Sequence, residues 1–194
     1  NSAAVGLCIL LALNAQPGFA QDTAVYPASD PANTGGWHLN TAISDEFHAP
    51  ALDTAKWLVQ GTDGVYRSRW IGRAPSQFST NNVRVENGKL MIQTRWEPAF
   101  AFSDRLEDGR KYENFTTAAV ISKKRLLYGY MVINCMAADA SVTSSFWMTG
   151  DQSELDVFEF MGAPSQGHKK HLEKEYMFTV IDCMRPSNHP LHLA

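Results

Sequence analysis

The stretch "SELDVFEF", Ser153 to Phe160, places three carboxylates in six residues of an otherwise apolar, strand-like run: Glu154, Asp156 and Glu159. Side chains of a strand alternate between its two faces, so Glu154 and Asp156 share one face while Leu155 and Val157 point to the other. Strict alternation would place Glu159 on the Leu155 side, where a charge facing a sheet core is severely disfavoured. A β-bulge between Asp156 and Glu159 removes the conflict, because one extra residue returns Glu159 to the face of Glu154. Neighbouring acids would then stand about 6–7 Å apart along one strand face. Carboxylates that close cannot all ionise easily, so at least one is expected to hold its proton to higher pH. An ionised carboxylate beside a protonated one is the pair that glycoside hydrolysis uses, and a gap of about 5–5.5 Å implies a covalent, retaining route. A solvated polar face would show the same E-x-D-x-x-E spacing, which is too short to decide alone. Just upstream, "SSFWMTG" supplies Phe146 and Trp147, and an aromatic plane beside acids suits the apolar face of a sugar ring.

The elements that must position these residues read as short strands divided by turn signals. "NVRVENGKLMIQTRW" (82–96) alternates Val83 and Val85 with polar neighbours, turns at Asn87-Gly88 and alternates again, which predicts a type I′ hairpin. "TTAAVISKK" and "YGYMVINCMAA" read as a second strand pair, with Tyr128, Tyr130, Val132 and Asn134 on one face. "SSFWM" and "ELDVFEF" read as a third. Only "HLEKEYMF" carries a weak helical spacing, and "YMFTVIDC" reads as a further strand. Many short strands at near-regular spacing predict an all-β sandwich or barrel.

The 194 residues are 44% hydrophobic and 19% charged, with a net charge of -3 and five tryptophans. That length supports one domain with a sizeable core. The near-neutral balance gives no electrostatic case for a nucleic-acid partner. Val5 to Leu13 is an apolar run too short to span a bilayer, followed by small residues at Gly18 and Ala20. Residues 1–20 are therefore read as part of a secretory signal peptide, and the protein is expected to be secreted, extracellular or periplasmic, without a membrane anchor. Residues 21–36 form a Pro/Gly/Ser-rich leader or linker, and residues 37–194 the folded domain. Cys135 and Cys183 would remain after processing, and sequence does not say whether they pair.

Four blocks in order resemble glycoside hydrolase family 16. "SDEFHAPALDTAKW" (44–57) is similar to the family's opening, "NVRVENGKLMIQT" to its first hairpin, "TTAAVISKKRLLYGYMVINCMAA" to its next strand pair, and "SSFWMTG…SELDVFE" to its catalytic strands. The resemblance implies a curved, concanavalin A-like jelly-roll β-sandwich whose concave face holds a glycan. It implies Glu154 as nucleophile, Glu159 as general acid/base, Asp156 as the residue orienting and tuning the nucleophile, and Trp147 as the platform beside the cleavage point. "WIGRAPSQF" (70–78) resembles the β-agarases and β-porphyranases within the family, implying Trp70 as a second platform and Arg73 as a contact to galactose hydroxyls or sulfate. Core packing of Trp70 and a structural ion pair for Arg73 are the bland alternatives; Arg67 and Arg69 are further basic residues nearby. Agarose is neutral and porphyran sulfated; β-agarase is placed first, with β-porphyranase as the alternative.

No metal site is assigned. His168, His171 and Glu173 in "GHKKHLEKEY" are too loosely spaced, a structural calcium enters only by analogy with the family, and no cofactor is expected. Asn114 heads an N-x-T sequon, meaningful only in a eukaryotic secretory pathway. The partner expected is a galactan polysaccharide, and the protein a monomer. Residues 160–194 are all that follows Glu159, whereas family members continue through further strands. The jelly roll is thus expected to be incomplete at its C-terminus, exposing strand edges and leaving the chain as written unstable or inactive. A non-catalytic carbohydrate-binding sandwich and a ligand-free β-domain are the competing classes. The first has no use for three crowded acids, and the second leaves Trp70 and Trp147 unexplained.

Overall fold

A computed structural model of the chain describes residues 26–61, 70–150 and 153–182. The signal-peptide reading, Arg67, Arg69 and Cys183 lie outside these residues. Within the described parts two compact units form, one up to Tyr130 and one from Met131 onward.

The first unit contains ten short strands: β1 (Trp57–Val59), β2 (Gly72–Arg73), β3 (Ser76–Phe78), β4 (Val83–Glu86), β5 (Lys89–Ile92), β6 (Arg95–Trp96), β7 (Leu106–Glu107), β8 (Arg110–Lys111), β9 (Phe115–Thr117) and β10 (Val120–Ser122). Four of them make a sheet in the order β2-β3-β9-β6, in which β3 and β9 run parallel. β1 pairs with β10, β4 with β5 and β7 with β8. The β4–β5 hairpin is the one expected from Asn87-Gly88, with φ of 52° and 68° at the two turn residues, as a type I′ turn requires. Asp108-Gly109 does the same for β7–β8, at 50° and 76°.

The apolar core of this unit is small: Ile71, Ala74 and Tyr112 cluster with Phe102 packed against them, and Phe78 is buried nearby. Much of the interior is polar. Gln60, Gln77, Asn82 and Thr116 are fully buried, and hydrogen bonds compensate most of their burial, Asn82 Oδ1 being left without a partner among the described residues. Gln60 Nε2 donates to the Trp70 carbonyl at 2.8 Å, and Gln77 Oε1 accepts from the Ser103 amide at 2.8 Å. Asn82 Nδ2 donates to Thr116 Oγ1 at 2.8 Å, and that hydroxyl donates in turn to Glu97. Tyr26–Gly36, inside the stretch read as a leader, is a turn loop in which Asp30 accepts from the amides of Thr34 and Gly35 at 2.8 and 2.7 Å.

The second unit is a three-stranded antiparallel sheet, β11 (Thr143–Thr149), β12 (Ser153–Met161) and β13 (Met177–Asp182), with β12 in the centre. β13 is the strand anticipated in "YMFTVIDC". Before it, Gly167–Lys174 forms a 3₁₀ helix, where the weak helical spacing begins.

One expected strand pair is not formed. "TTAAVISKK" contributes β9 and β10, but residues 128–138 carry no strand and are largely exposed. A strand persists only where a neighbour completes its backbone hydrogen bonds. β9 already lies between β3 and β6, and β10 is a three-residue strand paired with β1. Alternation in the sequence therefore found no ladder to join.

Candidate active site

β12 is rich in the residues that favour strands on its apolar side and carries its acids on the other. Opposite residues of an antiparallel pair share a face, so the register decides where each side chain stands. On the β11 side, Thr149 pairs with Glu154, Trp147 with Asp156 and Ser145 with Glu159. On the β13 side, Ile181 pairs with Glu154, Thr179 with Asp156 and Met177 with Glu159. Ser145, Trp147 and Thr149 are every second residue of β11, and Met177, Thr179 and Ile181 every second residue of β13. All nine therefore occupy one face.

This works only because β12 is bulged. Between Asp156 and Glu159 it advances three residues while β13 advances two, and against β11 the shift falls at the same place, between Phe146 and Trp147. The extra residue at Val157–Phe158 returns Glu159 to the side of Glu154 and Asp156. Phe146, opposite Phe158, falls on the reverse side, so Trp147 alone of the two aromatics joins the acids.

Asp156 is the centre of this three-by-three lattice, with neighbours on both flanking strands and along its own, and it is 8% exposed. Burial pushes its carboxyl above the usual carboxylate range. The sequence led to an expectation that crowding among the acids would raise one of them; the physical cause found here is desolvation. Glu154 and Glu159 are half-buried, leaving both in reach of solvent and ligand. The reverse face departs from expectation: Leu155 and Val157 are 37% and 39% exposed, not packed in a core. Farther along that face Phe160 stacks on Tyr176 at 4.8 Å, and Phe158 meets the same ring edge-on at 6.2 Å.

The structure thus gathers Glu154, Asp156, Glu159 and Trp147, all from the second unit. Trp70 and Arg73 belong to the first. Trp70 packs edge-on against Phe78 with ring centroids 4.7 Å apart, and Arg73 is exposed without a carboxylate partner among the described residues. His168, His171 and Glu173 lie on the 3₁₀ helix, where Glu173 pairs with Lys170 at 2.5 Å. Sequence reasoning missed Ser145, Thr149 and Thr179 as companions of the acids. Two-residue spacing from Trp147 marks the first two, but Thr179 required the β12–β13 register.

Residues 37–189 match the family model described as "Beta-porphyranase A-D, GH16 domain". The chain belongs to glycoside hydrolase family 16. Among family 16 relatives, a β-porphyranase E of Zobellia galactanivorans is 32% identical over 160 residues, covering 76% of this chain and 52% of that protein. A β-agarase of Phocaeicola plebeius is 27% identical, covering 74% and 48%. The crystal structure of porphyranase B from Zobellia galactanivorans superposes with a TM-score of 0.57 at 24% identity, covering 78% of this chain and 57% of that one. The likeness confirms the all-β jelly-roll sandwich expected from the sequence. The chain spans about half the length of the curated relatives it matches.

Proposed function

We propose that this chain carries the reacting groups of a secreted, retaining endo-hydrolase of red-algal galactan. The observation that supports it most is the bulge in β12, which turns Glu154, Asp156 and Glu159 to one face beside Trp147. In the first step the Glu154 carboxylate attacks the anomeric carbon. The bond from that carbon to the leaving sugar oxygen breaks as Glu159 delivers its proton, leaving a glycosyl ester on Glu154. In the second step Glu159, now ionised, takes a proton from water, and the hydroxide so formed displaces Glu154 from the anomeric carbon. Two inversions leave the configuration retained. Asp156, whose carboxyl burial holds above the usual carboxylate range, stands between Glu154 and Glu159 and tunes the charge returned to Glu154 when the ester breaks. Trp147 offers the flat apolar surface on which the sugar ring lies.

The reading places the substrate among β-linked galactans because the matched family model and the relatives above act, by name, on porphyran and agarose. The sequence put agarose first. The family model and the higher identity to a β-porphyranase now favour porphyran, and Arg73, exposed and without a carboxylate partner among the described residues, suits a sulfate ester through a bidentate guanidinium. The test incubates the purified protein with porphyran and with agarose, follows reducing ends, and reads the first-formed anomer by NMR. Release of β-anomer from porphyran faster than from agarose is expected, and E154Q should abolish release. A folded protein that liberates nothing from either polymer, or whose E154Q variant stays active, ends this proposal.

A further inference from the structure

Each acid of β12 stands between one hydroxyl residue and one apolar residue of the flanking strands. Glu154 lies between Thr149 and Ile181, Asp156 between Thr179 and Trp147, and Glu159 between Ser145 and Met177. The last of these bears on the group that must change charge twice in every turnover. Ser145 and Glu159 are directly opposite in register, which sets their Cβ atoms about 4.5–5.5 Å apart. The length of a glutamate side chain lets its carboxyl swing across that gap to a hydroxyl at an ordinary distance of about 2.7 Å. Both residues are uncommitted: neither side chain holds a hydrogen bond or ion pair among the described residues. Ser144, one position earlier and on the reverse face, is already engaged, its Oγ accepting from the Ala138 amide at 3.0 Å. Across from Ser145, Met177 offers a thioether, which donates nothing.

A group that first gives a proton and then takes one back needs a neighbour that suits both of its charge states. A lysine or arginine beside it would favour the carboxylate throughout and oppose reloading of the proton. A hydroxyl donates to the carboxyl oxygen that does not carry the proton, whether the group is neutral or charged. That bond tightens as negative charge develops on the carboxyl, so it is stronger in the transition state than before it. We propose that Ser145 is the positioning residue of Glu159, its hydroxyl holding one carboxyl oxygen while the other delivers and retrieves the proton. The serine itself neither gains nor loses a proton. The inference rests on the acid/base role given to Glu159 above and adds to it a residue of β11.

The experiment compares the full chain with S145A, S145T and E159Q on two substrates, a galactan oligosaccharide and its nitrophenyl glycoside. A nitrophenolate leaves without needing a proton, so the burst of phenol reports the first step with general-acid help removed. S145A should lower kcat on the oligosaccharide about tenfold with KM held within about twofold, and should leave the phenol burst within about twofold of the parent. S145T, which keeps the hydroxyl, should restore most of the loss. Unfolding temperatures check that each variant stays folded. S145A matching the parent on both substrates, or slowing both equally, overturns the proposal, as does an S145T no faster than S145A. The acid/base reading is judged separately by E159Q, which should lose far more on the oligosaccharide than in the burst. If E159Q slows the two alike, or the parent cleaves neither substrate, that reading fails and this one with it.

Discussion

Shortening Glu154 by one methylene tests the geometry of the acid face more sharply than deleting it. Glu154 and Glu159 are separated by four register steps on β11, from Thr149 to Ser145. At about 3.3 Å per residue their backbones stand roughly 13 Å apart. Retaining hydrolysis needs the carboxyls about 5–5.5 Å apart, so each side chain must lean inward by about 4 Å, above the shorter Asp156. E154D withdraws one carboxyl by about one C–C bond, roughly 1.5 Å, and opens the gap to about 6.5–7 Å. A misplacement of 1 Å at a reacting atom is worth about 10²-fold, so the expected loss in kcat is about 10²–10³-fold. E154Q, which removes the nucleophile, should lose at least about 10⁴-fold. Glu154 is half-buried, and neither change should alter unfolding stability by more than about 1 kcal/mol. Initial rates of reducing-end release, with calorimetry on the same samples, decide it. E154D within about tenfold of the parent, properly folded, would refute the claim that this carboxyl is the attacking atom.

D156N should stabilise the protein at neutral pH, because burial raises the Asp156 pKa and disfavours its carboxylate in the fold. The sign runs so that the parent loses stability as pH rises from the ordinary carboxylate range through the folded value, and the gap in unfolding temperature between variant and parent should close on acidification; the same variant should be slower in hydrolysis. W147A should lower kcat/KM about 5- to 30-fold, mainly through KM, in steady-state kinetics on galactan oligosaccharides. Gly72→Ala should destabilise by about 1–3 kcal/mol in thermal unfolding, since Gly72 has φ of 139° and an added Cβ would stand 2.9 Å from Gln77 Cα.

The placement of the three acids on one face was the most legible part of this sequence, and the reason is physical. Alternation puts Glu159 out of step with Glu154 and Asp156, so a shared face required an irregularity between them, and β12 has it at that place, although the reverse face is more exposed than a sheet core would be. The Asn87-Gly88 hairpin was legible because a type I′ turn needs two positive φ values that few residue pairs tolerate. Asp108-Gly109 carries the same signal and could have been read the same way. Residues 128–138 misled because alternation records only what a strand would bury and says nothing about whether a partner edge is free. The parallel pairing of β3 with β9 joins segments nearly forty residues apart, and no local pattern announces it. For that reason nothing in the sequence lines up Trp96 and Phe115 with Arg73, which the register of β2, β3, β9 and β6 does.

The lattice around Asp156 sets the three acids of the central strand apart from the neighbours that bury the middle one. Thr179 and Trp147 stand opposite the central acid in register, on strands that hold none of the three carboxylates. Replacing the Thr179 hydroxyl with a methyl group would make the surroundings of the buried carboxyl more apolar and push it further above the usual carboxylate range, while the three acids kept their places. The optimum acidity of such a sheet can thus drift through its outer strands alone, leaving β12 unaltered.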